Sequence, residues 1–244
     1  MSAYPLVVLL VSLAFCIAVF RQYLQRRRPY QLIWTVSLAM AAIGSLAYIV
    51  FLQDGKSEAA FRVYYICGAL LTAPLLGCGS ILLIARSPLA QRRARIVTGV
   101  VIVLCTIGAV LLLTGPLDAT LLHRLNGGSG SDPSVYKQGP GVAFIAVLNS
   151  FGALAVIGVA LYSGWQLRKR DISSNLAAAN VLIAAGTIVI SLAGTVARVG
   201  VNDSLFWLTM AVGWVVLFGG FLLTGTAAQA TARGRLRTDL GRTA

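Results

Sequence analysis

The sequence predicts an all-α polytopic membrane protein with seven transmembrane helices. Seven stretches contain no Asp, Glu, Lys, Arg or His, and each is long enough to cross a bilayer core of about 30 Å, which needs roughly 20 apolar residues. Only 11% of the 244 residues are charged, whereas soluble domains carry about 25%. The seven stretches occupy most of the chain, so we expect one transmembrane domain over residues 1–225 and a basic tail at 226–244.

The connections between most of the stretches are short, which makes consecutive helices antiparallel neighbours. The connection between the fourth and fifth stretches is longer and contains a flexible Gly/Ser/Pro run, Gly127 to Pro133. It serves either as a lid over an outer opening or as a plain linker, and Thr120–Leu125 within it can form one amphipathic turn. In order, the stretches are 3–20, 32–52, 63–85, 96–117, 142–165, 176–197 and 205–225.

Basic residues concentrate in alternate connections. If the N-terminus lies outside, the cytoplasmic segments 21–31, 86–95, 166–175 and 226–244 hold 15 of the 20 Lys and Arg residues. The positive-inside rule therefore predicts an N-out, C-in protein. Contact with anionic lipid head groups then accounts for the net charge of +13 without nucleic acid. The Ala/Gly/Val/Arg-rich composition favours a bacterial cell (cytoplasmic) membrane.

The two halves of the chain resemble each other when one is shifted by 142 residues. Three pairs of segments then coincide, and none consists only of common aliphatic residues: Arg26-Arg27-Arg28 with Arg168-Lys169-Arg170, Gly44-Ser45 with Gly186-Thr187, and Tyr64-Tyr65 with Phe206-Trp207. Coincidence between apolar sequences is the alternative. A true duplication gives a parallel 3+1+3 arrangement, with repeats at 3–85 and 142–225 around a linker helix at 96–117.

This topology resembles that of SWEET and PQ-loop transporters and, more distantly, of microbial rhodopsins. The resemblance implies an architecture and no activity. The Pro-Gln pair of PQ-loop proteins is absent, the nearest phrase being Pro29-Tyr30-Gln31. The seventh stretch also lacks the lysine that binds retinal in rhodopsins.

The seven stretches lack the groups that most membrane chemistry requires. All seven Asp and Glu residues lie outside them, which argues against a proton pump that uses a membrane carboxylate. The single histidine, His123, cannot supply the ligands of a bis-histidine haem or a histidine-bound zinc. The four cysteines form no metal-binding pair. We therefore expect no catalytic activity, no cofactor and no metal.

Polar residues inside the sixth and fifth helices are the first candidates for a site. Asn180, Thr187 and Ser191 are spaced to share one face of the sixth helix, and Arg198 continues this stripe to the outer end. The stripe either joins helices or lines a path for ligand or solvent. Asn149, in the fifth helix, needs a hydrogen-bond partner on the sixth or the third helix.

Aromatic and basic residues supply the remaining candidates. Trp214 lies near the middle of the seventh helix, where its indole N–H needs a partner. Tyr65 opens the third helix beside Arg62, and Pro74 predicts a kink farther along. Arg62 and Arg198 form an outer rim that either anchors the protein at the interface or attracts an anion.

Two functions fit these observations. The first is facilitative transport or binding of a small neutral or weakly polar molecule between the two triplets. The second is a non-catalytic membrane subunit, sensor or assembly factor of a larger complex. The expected partners are membrane lipids and a small-molecule ligand, together with further copies of the chain or a larger membrane complex.

Overall fold

A computed structural model describes residues 3–53, 57–124, 133–136, 139–169, 174–198 and 203–240. Within them lie seven helices that are long and apolar enough to span a membrane, as the sequence predicts. The chain is thus a multi-pass membrane protein. The helices are α1 (Tyr4–Arg26), α2 (Pro29–Gln53), α3 (Glu58–Ile84), α4 (Pro88–Thr114), α5 (Pro140–Lys169), α6 (Ser174–Arg198) and α7 (Asp203–Leu240).

The helices extend past the apolar stretches, because backbone hydrogen bonding continues where the side chains become polar. α1 runs on to Arg26 and ends where Arg27 adopts a left-handed conformation, with φ at 50°. α4 begins at Pro88, eight residues before its apolar stretch, and the Oγ of Ser87 accepts the N–H of Ala90 at 3.2 Å. The backbone of α7 continues through residues 226–240, which the sequence assigns to a tail.

The bundle has two distinct ends. The basic end is where α1 ends and α2 begins, and it is the predicted cytoplasmic side. The loop end carries the long connection between α4 and α5.

Six helices form a ring, and the seventh lies outside it. Around the ring, α1 packs against α2, α2 against α3, α3 against α5, α5 against α6, α6 against α7, and α7 against α1. The excluded helix is α4, which packs against α3 and α5. A half-turn of such a ring exchanges α1, α2 and α3 with α5, α6 and α7. These are the pairs that the 142-residue shift aligns, so the ring order is compatible with the predicted duplication, which stays a prediction.

Glycines allow the closest helix crossings, and two of them are aligned by the shift. A Cβ on Gly44 would lie 2.6 Å from the Cα of Gly68, so α2 and α3 touch through their backbones. A Cβ on Gly186 would lie 2.5 Å from the backbone nitrogen of Leu217, so α6 and α7 touch similarly. Small residues at such crossings are the usual means of close packing in membranes.

The long connection packs onto the loop end where it is described. The expected amphipathic turn is present as a short helix, Ala119–Arg124, whose first N–H groups are capped by the Oδ1 of Asp118. Leu122, Val135 and Tyr136 are buried against the bundle. The Gly/Ser-rich run from Gly127 to Asp132 lies outside the described residues.

Candidate functional site

The middle of α3 departs from regular α-helix. Residues Tyr64–Leu71 form a π-helix, and α-helical bonding resumes at Thr72. Pro74 follows directly and has no N–H to donate, so a carbonyl in the preceding turns loses its usual donor. Such wide turns are rare in proteins, and those that do occur are often found at functional sites. Pro74, Gly77 and Gly79 mark this region in the sequence, but nothing in the sequence announces the π-helix itself.

Side chains from three helices hydrogen-bond to the carbonyls of this segment. The Nδ2 of Asn149 on α5 donates to the carbonyl of Ala69 at 2.9 Å, which confirms an expected partner on the third helix. This amide therefore joins α5 to the irregular segment of α3. The Oγ1 of Thr72 donates to the carbonyl of Cys67 at 2.8 Å, and the Oγ of Ser37 on α2 donates to the carbonyl of Thr72 at 2.6 Å.

We expect replacement of Asn149 by alanine to lower stability by about 1 kcal/mol, because the carbonyl of Ala69 then loses this hydrogen bond in the bundle interior. Thermal unfolding in detergent measures the effect. Ser150→Ala is the matched control, because the exposed Ser150 hydroxyl bonds only within its own helix, to the carbonyl of Ala146. Equal stability of the two variants would show that the Asn149 bond contributes nothing.

Close packing holds the irregular segment on both sides. A Cβ on Gly77 would lie 2.8 Å from the Cα of Gly152, so α3 and α5 meet at backbone distance. The ring of Trp34 on α2 occupies the space beside Gly79, where any side chain would collide with it. Its Nε1 donates to the carbonyl of Leu76 at 3.1 Å. The segment is therefore clamped between α2 and α5.

Aromatic rings fill the interior of the bundle toward the loop end. Tyr48 lies 4.5 Å from Trp207 and 5.0 Å from Tyr64 between ring centres, so α2, α3 and α7 meet across the ring of helices. Tyr65, a predicted cavity residue, lies 4.8 Å from Phe61 and 5.1 Å from Tyr136. We call this group the aromatic cluster: Tyr48, Phe51, Phe61, Tyr64, Tyr65, Tyr136 and Trp207.

Tyr136 links the long connection to the aromatic cluster. Its ring lies 5.9 Å from that of Phe61. Burial raises the pKa of Tyr136 to about 12, Arg62 opposes this rise, and Glu58 adds to it. The phenol therefore stays neutral well above physiological pH.

Trp214 extends the apolar interior toward the middle of the membrane. It is 3% exposed and lies on the same face of α7 as Trp207 and Ala211. Its Nε1 has no hydrogen-bond partner among the described residues, in contrast to the expectation that one would be found. Nearer the basic end, Phe15 of α1 lies 4.7 Å from Phe221, which closes the gap between the first and last helices.

The polar stripe on α6 is divided between different environments. Thr187 is buried, Asn180 is partly buried and Ser191 is exposed on the membrane-facing surface. Each donates to a carbonyl of α6 one turn earlier, at Ile183, Leu176 and Thr187 respectively. Their described bonds therefore stay within the helix. Asn180 and Ser191 are about 16 Å apart along the axis, at 1.5 Å per residue, so the stripe does not gather into one compact group.

Arg62, a predicted rim residue, binds the end of α4. Its guanidinium donates to the carbonyls of Leu112, Leu113 and Gly115 at 2.5, 2.8 and 2.9 Å, and it pairs with Glu58 at 2.7 Å. The sequence does not predict the three carbonyl contacts of Arg62. A cation there donates hydrogen bonds to the free carbonyls at a helix C-terminus. It also interacts favourably with the negative end of the helix dipole. The side chain of Arg198 lies outside the described part of the chain.

Two neighbouring cavities lie at the basic end of the described structure. A cavity of about 820 Å³ is bounded by the end of α1, the start of α2, the end of α3 and the start of α4. A second cavity of about 340 Å³ lies beside it, between α3 and α4. Neither is lined by Asn149, Asn180, Thr187, Ser191, Trp214 or Tyr65. The larger one is lined by Arg26, Arg28, Arg86, Arg95, Tyr30 and Gln91 together with apolar residues.

No family model, no curated protein and no solved structure matches the chain. Among the described residues, no group of three His, Cys, Asp or Glu side chains is placed to hold a metal ion. The packing and the charges described above are therefore the basis for assigning a function.

Proposed function

We propose that this protein is a non-catalytic membrane component that binds its partner or ligand at the basic end. The observation that carries the proposal is the location of open space. The interior toward the loop end is filled by the aromatic cluster, whereas the larger cavity opens among arginines at the basic end. A concave surface that combines apolar side chains with a few polar groups is the usual form of a binding site.

The second candidate is the facilitative carrier of a small neutral or weakly polar molecule. Two observations favour it: the ring order that a half-turn exchanges and the irregular backbone of α3, one of the six ring helices. Parallel repeats that rock about a central site are a common transporter design. In a carrier, the aromatic interior described here would open to water during each cycle.

Accessibility of a buried position distinguishes the two candidates. Ala211→Cys places a thiol one turn from both Trp207 and Trp214, on the buried face of α7. The variant is made in a chain whose four native cysteines are replaced by alanine. It is reconstituted in vesicles of known orientation and treated with a membrane-impermeant thiol reagent. We expect no labelling of Ala211→Cys from either side, because the aromatic interior stays closed.

Gln91→Cys is the control for reagent access and for orientation. Gln91 is exposed at the basic end, so its thiol is expected to react from one side only, the cytoplasmic side if the N-terminus lies outside. Labelling of Ala211→Cys from both sides in turn would instead establish the carrier and overturn the first candidate.

A further inference from the structure

The arginines at the basic end face a shared space without a described counter-charge. Arg26 is the last residue of α1, and Arg28 lies in the connection to α2. Arg86 lies in the connection between α3 and α4, and Arg95 lies within α4. Among residues whose side chains are described, only Glu58 and Asp118 are acidic, and both lie at the loop end. The positive potential in the cavity is thus not neutralised by the described protein, and a concave wall concentrates such a potential.

The local backbone explains how these arginines share one cavity. The left-handed turn at Arg27 reverses the chain, so Arg26 and Arg28 lie on either side of it, and Arg27 itself packs over the ring of Tyr23 at 5.7 Å. α2 then begins at Pro29 with no acidic residue in its first turn, so its N-terminal partial charge adds to that of the arginines.

The lining also contains an aromatic ring and apolar side chains. The aromatic residue is Tyr30, which packs edge-on against Trp34 at 5.3 Å, and the Nε1 of Trp34 donates in turn to the carbonyl of Leu76. Leu82 and Leu83 provide apolar parts of the lining. The cavity therefore combines strongly basic with apolar lining residues.

We propose that this cavity binds the phosphate group of an anionic ligand. The planar guanidinium group matches phosphate with paired hydrogen bonds. The apolar lining residues suit the glycerol and first acyl carbons of an anionic phospholipid, or the organic part of a soluble phosphate. The inference rests on the proposed binding function, since it assigns a ligand class to the same basic end.

The test measures thermal stabilisation of the purified full chain in neutral detergent. Two probes separate the sources of phosphate: phosphatidylglycerol for a lipid head group and inorganic pyrophosphate for a soluble anion. A ligand that binds the folded state raises the unfolding midpoint in a saturable manner. We expect Arg28→Gln and Arg95→Gln each to weaken the apparent affinity roughly tenfold, because each removes a charge-assisted hydrogen bond.

Arg27→Gln and Arg92→Gln are the matched controls. Each removes one positive charge from the same connection or helix, and neither residue lines the cavity. They are expected to keep the affinity of the unaltered protein. Because all four are single surface substitutions, the unfolding midpoint without ligand shows directly whether each variant is folded.

Each outcome bears on the proposal. Saturable stabilisation by both probes supports a phosphate site open to soluble anions, and stabilisation by the lipid alone assigns the site to a head group. Absence of saturable stabilisation, or equal weakening in cavity and control variants, would overturn the proposal. If neither probe stabilises the protein and Ala211→Cys stays unlabelled, the phosphate proposal fails and the proposed function stands. The closed interior that Ala211→Cys reports does not depend on the identity of the ligand.

Discussion

Gly152→Ala is expected to destabilise the protein by about 2–3 kcal/mol, the upper part of the range for overpacked sites. A Cβ at this position would lie 2.8 Å from the backbone nitrogen of Pro74 and closer still to the carbonyl of Ala73. The obstacle is backbone, and it belongs to a segment that is already clamped between α2 and α5. Neither helix can move away without opening another contact. The measurement is the unfolding midpoint and the monodisperse yield of the purified variant.

Gly158→Ala is the matched control within the same helix. No atom outside the local helix lies within 4 Å of a Cβ at Gly158. Since alanine is the better helix former, this variant is expected to be neutral or slightly more stable. If both variants unfolded at the same temperature, α3 and α5 would not be in backbone contact at Gly152.

Arg62→Ala is expected to lower stability by about 2–3 kcal/mol, because hydrogen bonds that involve a charged group are worth about 1.5–3 kcal/mol. The substitution leaves the carbonyls of Leu112, Leu113 and Gly115 at the end of α4 without their charged donor. As α4 lies outside the ring, this arginine is a polar link that joins it to α3. Unfolding of the variant in detergent measures the loss.

Two further variants separate capping from ion pairing. Glu58→Gln removes only the pairing of an exposed carboxylate, which is worth at most about 1 kcal/mol. Arg62→Lys keeps the charge, but a single ammonium group cannot reproduce the forked geometry that reaches three carbonyls. We expect the loss of stability to increase from Glu58→Gln to Arg62→Lys to Arg62→Ala. An equal loss for Glu58→Gln and Arg62→Ala would mean that the ion pair, and not the cap, stabilises this corner.

The candidate residues show how far a helical pattern predicts a site. Asn149 is a candidate because a buried amide needs a partner, and the structure supplies one on the third helix, one of the two helices that the sequence allows. The stripe of Asn180, Thr187 and Ser191 was expected to face one environment, yet it is divided between buried and exposed positions. Spacing defines a face of a helix, but the width and tilt of the neighbouring helices decide how much of that face is covered.

The arginine cavity shows the opposite case. In the sequence, these arginines only add to the count of basic residues that predicts the orientation of the protein in the membrane. Arg28 and Arg95 are far apart in the chain, so only the packing of α2, α3 and α4 brings them to one space. The aromatic cluster has the same origin, since Tyr48 and Trp207 meet only when the ring of helices closes.

The sequence by itself determined the number of helices and their approximate limits. This follows because each span must satisfy its backbone hydrogen bonds internally and must place about 20 apolar residues in the bilayer core. Tertiary structure alone decided that α4 lies outside the ring, that α3 contains a π-helix and that Arg62 caps α4. Those features depend on contacts between residues distant in the chain, and in an apolar solvent it is the fit between helices that selects among them.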